Sequence, residues 1–95
     1  MCREIDKRKT MIQNLLSERY EEIVINEKRC FLLSNGMVIS VDTIGEDYLV
    51  VEYADNVKEA CLFRFEDGDS FWIGESDIDM MIQKVFREIE LSSSD

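Results

Sequence analysis

Carboxylate side chains between residues 66 and 79 are the groups whose types and spacing come closest to a chemical site. They are Glu66, Asp67, Asp69, Glu75, Asp77 and Asp79. Calcium and magnesium prefer such oxygen ligands, which an EF-hand loop places at fixed offsets from a glycine. A loop centred on Gly68 would begin at Phe63, and one centred on Gly74 would put Phe71 at a ligand position. The spacing therefore predicts no metal site. A looser magnesium or calcium site is the alternative, although turns and helix capping explain the same residues.

The residue types that many enzymes use are missing. The chain contains no histidine, which excludes Ser-His-Asp and Cys-His catalysis and the commonest transition-metal ligand. None of its four glycines belongs to a phosphate-binding or dinucleotide-binding motif. We therefore predict no catalytic residues, no cofactor and no enzymatic activity. The alternative is a hydrolase, or a domain of one, that uses carboxylates and a metal.

Negative charge is distributed unevenly along the chain. Residues 1–30 hold seven basic and six acidic side chains, residues 31–95 hold four basic and fifteen acidic ones, and the formal net charge is −10. A field of this sign repels nucleic acid and anionic membranes and favours a basic partner. We predict that a basic protein docks on five carboxylates, with acidity for solubility alone as the alternative. These five residues are Asp67, Asp69, Glu75, Asp77 and Asp79.

Cysteine usage and hydropathy indicate a cytoplasmic protein. Cys2, Cys30 and Cys61 show neither a CxxC nor a zinc-like spacing, which suits a reducing compartment. The N-terminal residues lack the apolar centre of a signal peptide, and no apolar run approaches the roughly 18 residues of a membrane span. We expect Cys30 and Cys61 to lie in the core as small hydrophobic residues.

The stretch from residue 28 to residue 72 has the pattern of short antiparallel strands joined by tight turns. Asn35 and Gly36 suit a two-residue type I′ turn between two apolar runs. This loop length would place Arg29 directly opposite Asp42, an arrangement of opposite charges that is mildly stabilising.

Two further turns complete the predicted sheet. A three-residue loop at 45–47 pairs Val41 with Val51, whereas a two-residue loop would bring a glutamate to the buried face. A turn at 56–58 leads into another strand, and a turn at 67–68 ends it.

Period-two alternation divides the side chains of these strands between two faces. The predicted core face collects Cys30, Leu32, Ile39, Val41, Leu49, Val51, Tyr53, Cys61, Phe63 and Phe65. The opposite face collects Phe31, Leu33, Val38, Val50, Leu62 and Trp72. Monomers rarely expose an apolar patch of that size, so we expect this second face to form a homodimer or to bind a partner.

Helical spacing of apolar residues predicts one helix before the strands and one after them. The first runs from about residue 4 to residue 19, and a strand at 20–25 follows it. The last helix begins with Ser76 as its N-cap and ends near Leu91. Residues 92–95 are predicted to form a disordered tail.

The predicted fold is a single two-layer α+β domain over residues 1–91. It has an N-terminal helix, an antiparallel meander of five or six strands and a C-terminal helix, with both helices on one face of the sheet. In size, acidity and helix–sheet–helix plan the chain resembles some bacterial immunity proteins, which neutralise toxins, and is similar in the same way to small secretion chaperones. These resemblances imply a non-enzymatic protein-binding domain of the inhibitor or immunity type, with a chaperone role as the alternative.

Overall fold

A five-stranded antiparallel meander carries a long helix at each end of the chain in the computed structural model, which describes residues 3–75 and 77–93. The strands lie side by side in chain order, and a short helix joins the last two. The elements are α1 Glu4–Arg19, β1 Glu21–Ile25, β2 Lys28–Leu32, β3 Val38–Ile44, β4 Tyr48–Ala54, α2 Val57–Cys61, β5 Asp67–Trp72 and α3 Ile78–Ser93. The predicted α+β class, with a helix, a meander and a second helix, is confirmed.

One face of the sheet, called here the helix face, forms the main core with both long helices. The strands contribute Phe31, Leu33, Ile39, Val41, Leu49, Val51 and Tyr53. The helices contribute Ile5, Ile12, Leu16, Met81, Val85, Phe86 and Ile89. Buried apolar residues at helical spacing thus pack against alternate residues of the strands, and both helices lie on one face as predicted.

The pairing of β2 with β3 differs from the prediction by one residue. Leu33 donates its N–H to the carbonyl of Met37 (2.8 Å), and Gly36, with φ of 92°, donates to the carbonyl of Leu33 (3.0 Å). The loop therefore has three residues, with a left-handed glycine at its end, rather than two. Phe31 consequently pairs with Ile39 instead of with Ser40.

This shift exchanges the two faces of β2, because a one-residue slip turns every side chain over. Phe31 and Leu33 lie in the main core, whereas Cys30 and Leu32, predicted to be there, lie on the other face. Asp42 pairs with Lys28 (3.2 Å) rather than with Arg29. Since Lys28 and Arg29 are adjacent, both registers offer an opposite charge to Asp42.

Two other turns lie where the sequence predicts them. The loop at 45–47 pairs Val41 with Val51, as predicted. Asn26 and Glu27 connect β1 to β2 with φ of 52° and 69°, values expected of a type I′ turn. Both hairpins place their apolar side chains on the faces that the alternation indicates.

The predicted strand after β4 is wrong. Residues 57–61 form α2, whose first turn is capped by the side chain of Asn56 accepting the N–H of Glu59 (2.8 Å). The predicted turn at 67–68 lies inside β5, which pairs with β4 without interruption. Cys61 and Phe63 are consequently exposed rather than part of the core.

A second, smaller cluster lies on the face of the sheet away from the long helices, called here the outer face. Its buried members are Ile25, Cys30, Val38, Ala54 and Ala60, and Ile23, Leu32 and Phe65 pack against them. The helix α2 and the loop after it therefore cover one part of the outer face.

The start and end of α3 differ slightly from the prediction. Asp77 accepts the N–H of Met80 (2.9 Å) through its carboxylate, which satisfies one of the unpaired donors of the first turn. Ser76, the predicted N-cap, lies outside the described residues. The helix includes Ser92 and Ser93, which the sequence assigns to a tail, and residues 94 and 95 lie outside the described part of the chain.

Two phenylalanine-to-alanine variants test this assignment of faces. Phe31 is fully buried in the main core, so Phe31→Ala is expected to lower the free energy of unfolding by about 3–5 kcal/mol. Phe63 is 66% exposed, so Phe63→Ala is expected to lower it by less than about 1 kcal/mol. Urea denaturation measures both values, and a larger loss at Phe63 than at Phe31 would contradict the observed register.

Candidate protein-binding face

A row of apolar side chains crosses three strands on the part of the outer face that α2 does not cover. Ile44 on β3 pairs with Tyr48 on β4, which pairs in turn with Trp72 on β5. These side chains are 61%, 43% and 51% exposed, respectively. In the next row Val50 is half-buried between Asp42 and Ser70. We call Ile44, Tyr48, Val50, Ser70 and Trp72 the open face.

The size of α2 explains why the open face stays uncovered. A helix of five residues is about 7.5 Å long, whereas the row of Ala54, which it covers, and the row of Tyr48 lie six residues, or about 20 Å, apart along β4. The helix buries Ala60 against the sheet beside Cys30, Val38 and Ala54. The rows at the other end of the sheet, where Tyr48 and Trp72 lie, receive no helix.

Phe63 stands where the covered part of the outer face ends. It lines a shallow cleft of about 150 Å³ with Lys28, Ser40 and Glu52. Its φ is 59°, a left-handed conformation that costs a non-glycine residue about 1 kcal/mol or more.

The end of α2 imposes this conformation on Phe63. The N–H of Phe63 donates to the carbonyl of Ala60 (3.0 Å), and the N–H of Arg64 donates to that of Glu59 (2.9 Å). This pair of bonds forms a Schellman motif, whose left-handed position is usually a glycine. The side-chain amide of Asn26 also donates to the carbonyl of Cys61 (3.1 Å) and ties the end of α2 to the first hairpin.

Trp72 is held by the turn that follows β5. A Cβ atom at Gly74 would lie 2.7 Å from the indole ring, so only glycine lets the ring lie against the backbone there. The N–H of Ile73 donates to the carbonyl of Asp47 (2.7 Å), and the N–H of Glu75 donates to that of Trp72 (3.1 Å). These contacts fix the indole beside Tyr48 with half of its surface exposed.

The predicted acidic docking residues occupy two separate places. Asp67 and Asp69 lie on β5 and point to the helix face, whereas the other three lie around the start of α3. Asp67 is about 17 Å along the strand from Trp72, at about 3.3 Å per residue. Glu75 forms an ion pair with Lys84 (3.2 Å), and Asp77 caps α3. Asp79 lies in the first turn of α3 and is exposed.

The predicted apolar interface is divided in the same way. Phe31 and Leu33 lie in the main core and Val38 in the second cluster, so these three cannot form an exposed patch. Val50 and Trp72 belong to the open face, and Leu62 is exposed at the end of α2. Sequence reasoning missed Ile44 and Tyr48. The correctly predicted β3–β4 register was the signal that could have found them, since it places both beside Val50.

A buried hydroxyl lies near the carboxylates of β5. The Tyr53 hydroxyl is buried on the helix face and makes no hydrogen bond to the described residues. Burial, together with the negative charges of Asp69, Glu88 and Asp67, raises the pKa of Tyr53 to about 12. The nearby Ser92 side chain opposes it, although its contact falls outside hydrogen-bond geometry. The helix side of β5 is therefore strongly negative.

Two other surfaces of the domain hold strongly paired charges. Arg29 on β2 forms a bidentate pair with Glu22 on β1 (2.8 and 3.1 Å), and this pairing lowers the pKa of Glu22. The hydrogen bond from Arg3 likewise lowers the pKa of Asp6 at the start of α1.

On the outer face, burial raises the pKa of the Cys30 thiol, as expected for a small hydrophobic residue of the second cluster.

Comparison with known proteins finds no match to this chain among protein-family models, curated proteins or solved structures. Among residues 3–75 and 77–93, no group of three or more cysteine or acidic side chains is placed to hold a metal ion. No helix in the same part of the chain is long and apolar enough to cross a membrane.

Replacement of Phe63 by glycine tests the conformation assigned to it. Glycine adopts positive φ without a steric penalty, whereas alanine keeps that penalty. We therefore expect Phe63→Gly to be more stable than Phe63→Ala by about 1 kcal/mol in urea denaturation. Equal stabilities, or a more stable alanine variant, would show that residue 63 does not have a left-handed conformation in solution.

Proposed function

We propose that the chain is a non-enzymatic protein-binding domain that docks a basic protein through the open face, as an inhibitor or immunity-type protein would. The observation that supports this function most strongly is the exposed row of Ile44, Tyr48 and Trp72. Tyrosine and tryptophan are enriched among the residues that dominate binding energy at protein interfaces. Here both are held in place by the sheet, so little side-chain entropy is lost on binding.

The rim of the open face favours a partner with positive charge. Asp42 and Glu52 flank Val50 on the same face, and Glu46 and Asp47 lie in the loop beside Ile44. Lys28 (3.2 Å) and Lys9 (3.9 Å) both pair with Asp42, so the negative charge of the rim comes mainly from Glu52, Glu46 and Asp47. An apolar centre with a charged rim is the usual anatomy of a protein interface, and the rim charges mainly increase the rate and specificity of association.

The overall charge argues against a second copy as the main occupant. Each copy carries a formal charge of −10, so a homodimer through the open face would bring two acidic rims together. Like charges across an interface oppose association. A basic partner would instead gain from the same charges, and this gain would decrease as salt screens them.

A double variant tests the proposal in quantitative capture experiments. Tyr48→Ser/Trp72→Ser removes two half-exposed aromatic side chains that lie outside both buried clusters, so the domain should still fold, with a loss of stability that urea denaturation measures. Truncation of a dominant interface aromatic costs about 2 kcal/mol or more, or about 30-fold in affinity. We expect basic proteins captured from the source cell by the tagged wild type to be depleted at least tenfold with the variant.

A matched control removes apolar surface elsewhere. Met11→Ser/Val24→Ser replaces residues that are 46% and 69% exposed on α1 and β1, away from the open face. This control should capture the same proteins as the wild type. If the open-face variant retains them as well, or if the control loses them equally, the open face is not the docking surface.

A further inference from the structure

The last strand of the sheet leaves a row of backbone groups unpaired. β5 lies at the edge, so only one of its sides pairs with β4. The N–H of Ile73 donates to Asp47, and bonded and non-bonded pairs alternate in an antiparallel ladder. The backbone groups of residues 73, 71, 69 and 67 therefore bond to β4. The N–H groups of Gly68, Ser70 and Trp72 point away from the sheet.

Most of the features that protect sheet edges are absent from β5, and the one that is present, the charge of Asp67 and Asp69, would repel an acidic strand and attract a basic one. The β4–β5 register runs without a bulge from Tyr53–Asp67 to Tyr48–Trp72. β5 contains no proline and no lysine, the residues that most often block the addition of another strand. The opposite edge, β1, likewise contains no proline and no lysine, but the charge of its Glu22 is paired with Arg29 and is therefore less available to a basic strand.

The two faces of β5 differ in chemistry. Asp67 and Asp69 lie on the helix face, and among the described residues no basic side chain lies within ion-pair distance of either. Glu88 of α3 adds a third negative charge near them. On the other face Ser70 and Trp72 continue the open face to the edge. A strand placed beside β5 would meet carboxylates on one side and an indole ring on the other.

We propose that the basic partner docks by adding an extended segment to the edge of β5, with lysine or arginine side chains alternating with apolar ones. The basic side chains would face Asp67 and Asp69, and the apolar ones would extend the contact with Trp72. Backbone hydrogen bonds to the N–H groups of residues 68, 70 and 72 and to the carbonyls of residues 68 and 70 would set the register, as in other cases of strand addition, while the carbonyl of Trp72 accepts the N–H of Glu75. The inference rests on the function proposed above and adds the conformation and sequence pattern of the bound segment.

Designed peptides test the pairing on the full chain. The probe is a peptide of about eight residues that alternates lysine and valine, with a glutamate–valine peptide and a fully N-methylated lysine–valine peptide as controls. Trp72 is the single tryptophan, so its fluorescence reports binding at this edge directly. We expect saturable binding of the probe, binding at least tenfold weaker for both controls, and slower amide exchange at Gly68 and Ser70. Equal binding of the N-methylated peptide, or unchanged exchange at these amides, would overturn the proposal.

Variants of β5 separate this inference from the function on which it rests. Ser70→Pro removes an outward N–H and leaves the ladder with β4 intact, and Met11→Ser/Val24→Ser, away from β5, is the control. We expect at least tenfold weaker probe and partner binding for Ser70→Pro and for Asp67→Asn/Asp69→Asn, and no change for the control. If both keep wild-type binding while Tyr48→Ser/Trp72→Ser loses it, edge pairing is wrong and the open face still binds. If Ser70→Pro does not fold, the aspartate variant and the exchange measurement decide.

Discussion

The left-handed Gly36 and the three-residue loop that it ends determine how this chain divides its apolar residues. With this loop length Phe31 and Leu33 face the long helices, and Cys30 and Leu32 face α2. A loop one residue shorter would remove Phe31, a large fully buried side chain, from the main core. The same loop therefore completes the main core and supplies the residues that α2 covers.

The partial cover of the outer face follows from this arrangement. α2 has enough apolar surface to bury one end of the outer face, through Ala60, and too little length to reach the other. The stability of the domain comes from the helix face. Residues at the uncovered end of the outer face are therefore not needed for stability and can serve another role. Trp72, held against Gly74, is one such residue. This separation between a stable face and an exposed aromatic face is the basis for the proposed role in protein binding.

Sequence reasoning reached the fold class, both long helices and the β3–β4 register, because each depends on a local pattern of apolar spacing. It failed where two local structures fit equally well. Asn35-Gly36 suits loops of two or three residues, and adjacent Lys28 and Arg29 supply a partner for Asp42 in either register. Alternation at Cys61, Phe63 and Phe65 resembled a strand, although capping by Asn56 starts a helix there. Sequence reasoning identified two residues of the open face, Val50 and Trp72. It placed the acidic residues of β5 in a turn instead of in a strand.

Nuclear Overhauser effects between Hα protons of β2 and β3 test the register most directly. Residues in non-hydrogen-bonded antiparallel pairs have Cα atoms about 4.5 Å apart, which brings their Hα protons into close contact. Leu33 bonds to Met37, so the non-bonded pairs of this hairpin are Leu32–Val38 and Cys30–Ser40. We expect strong Hα–Hα effects for these two pairs. Strong effects for Leu33–Val38 and Phe31–Ser40 instead would show a two-residue loop and would contradict both the main core and the cluster under α2 described above.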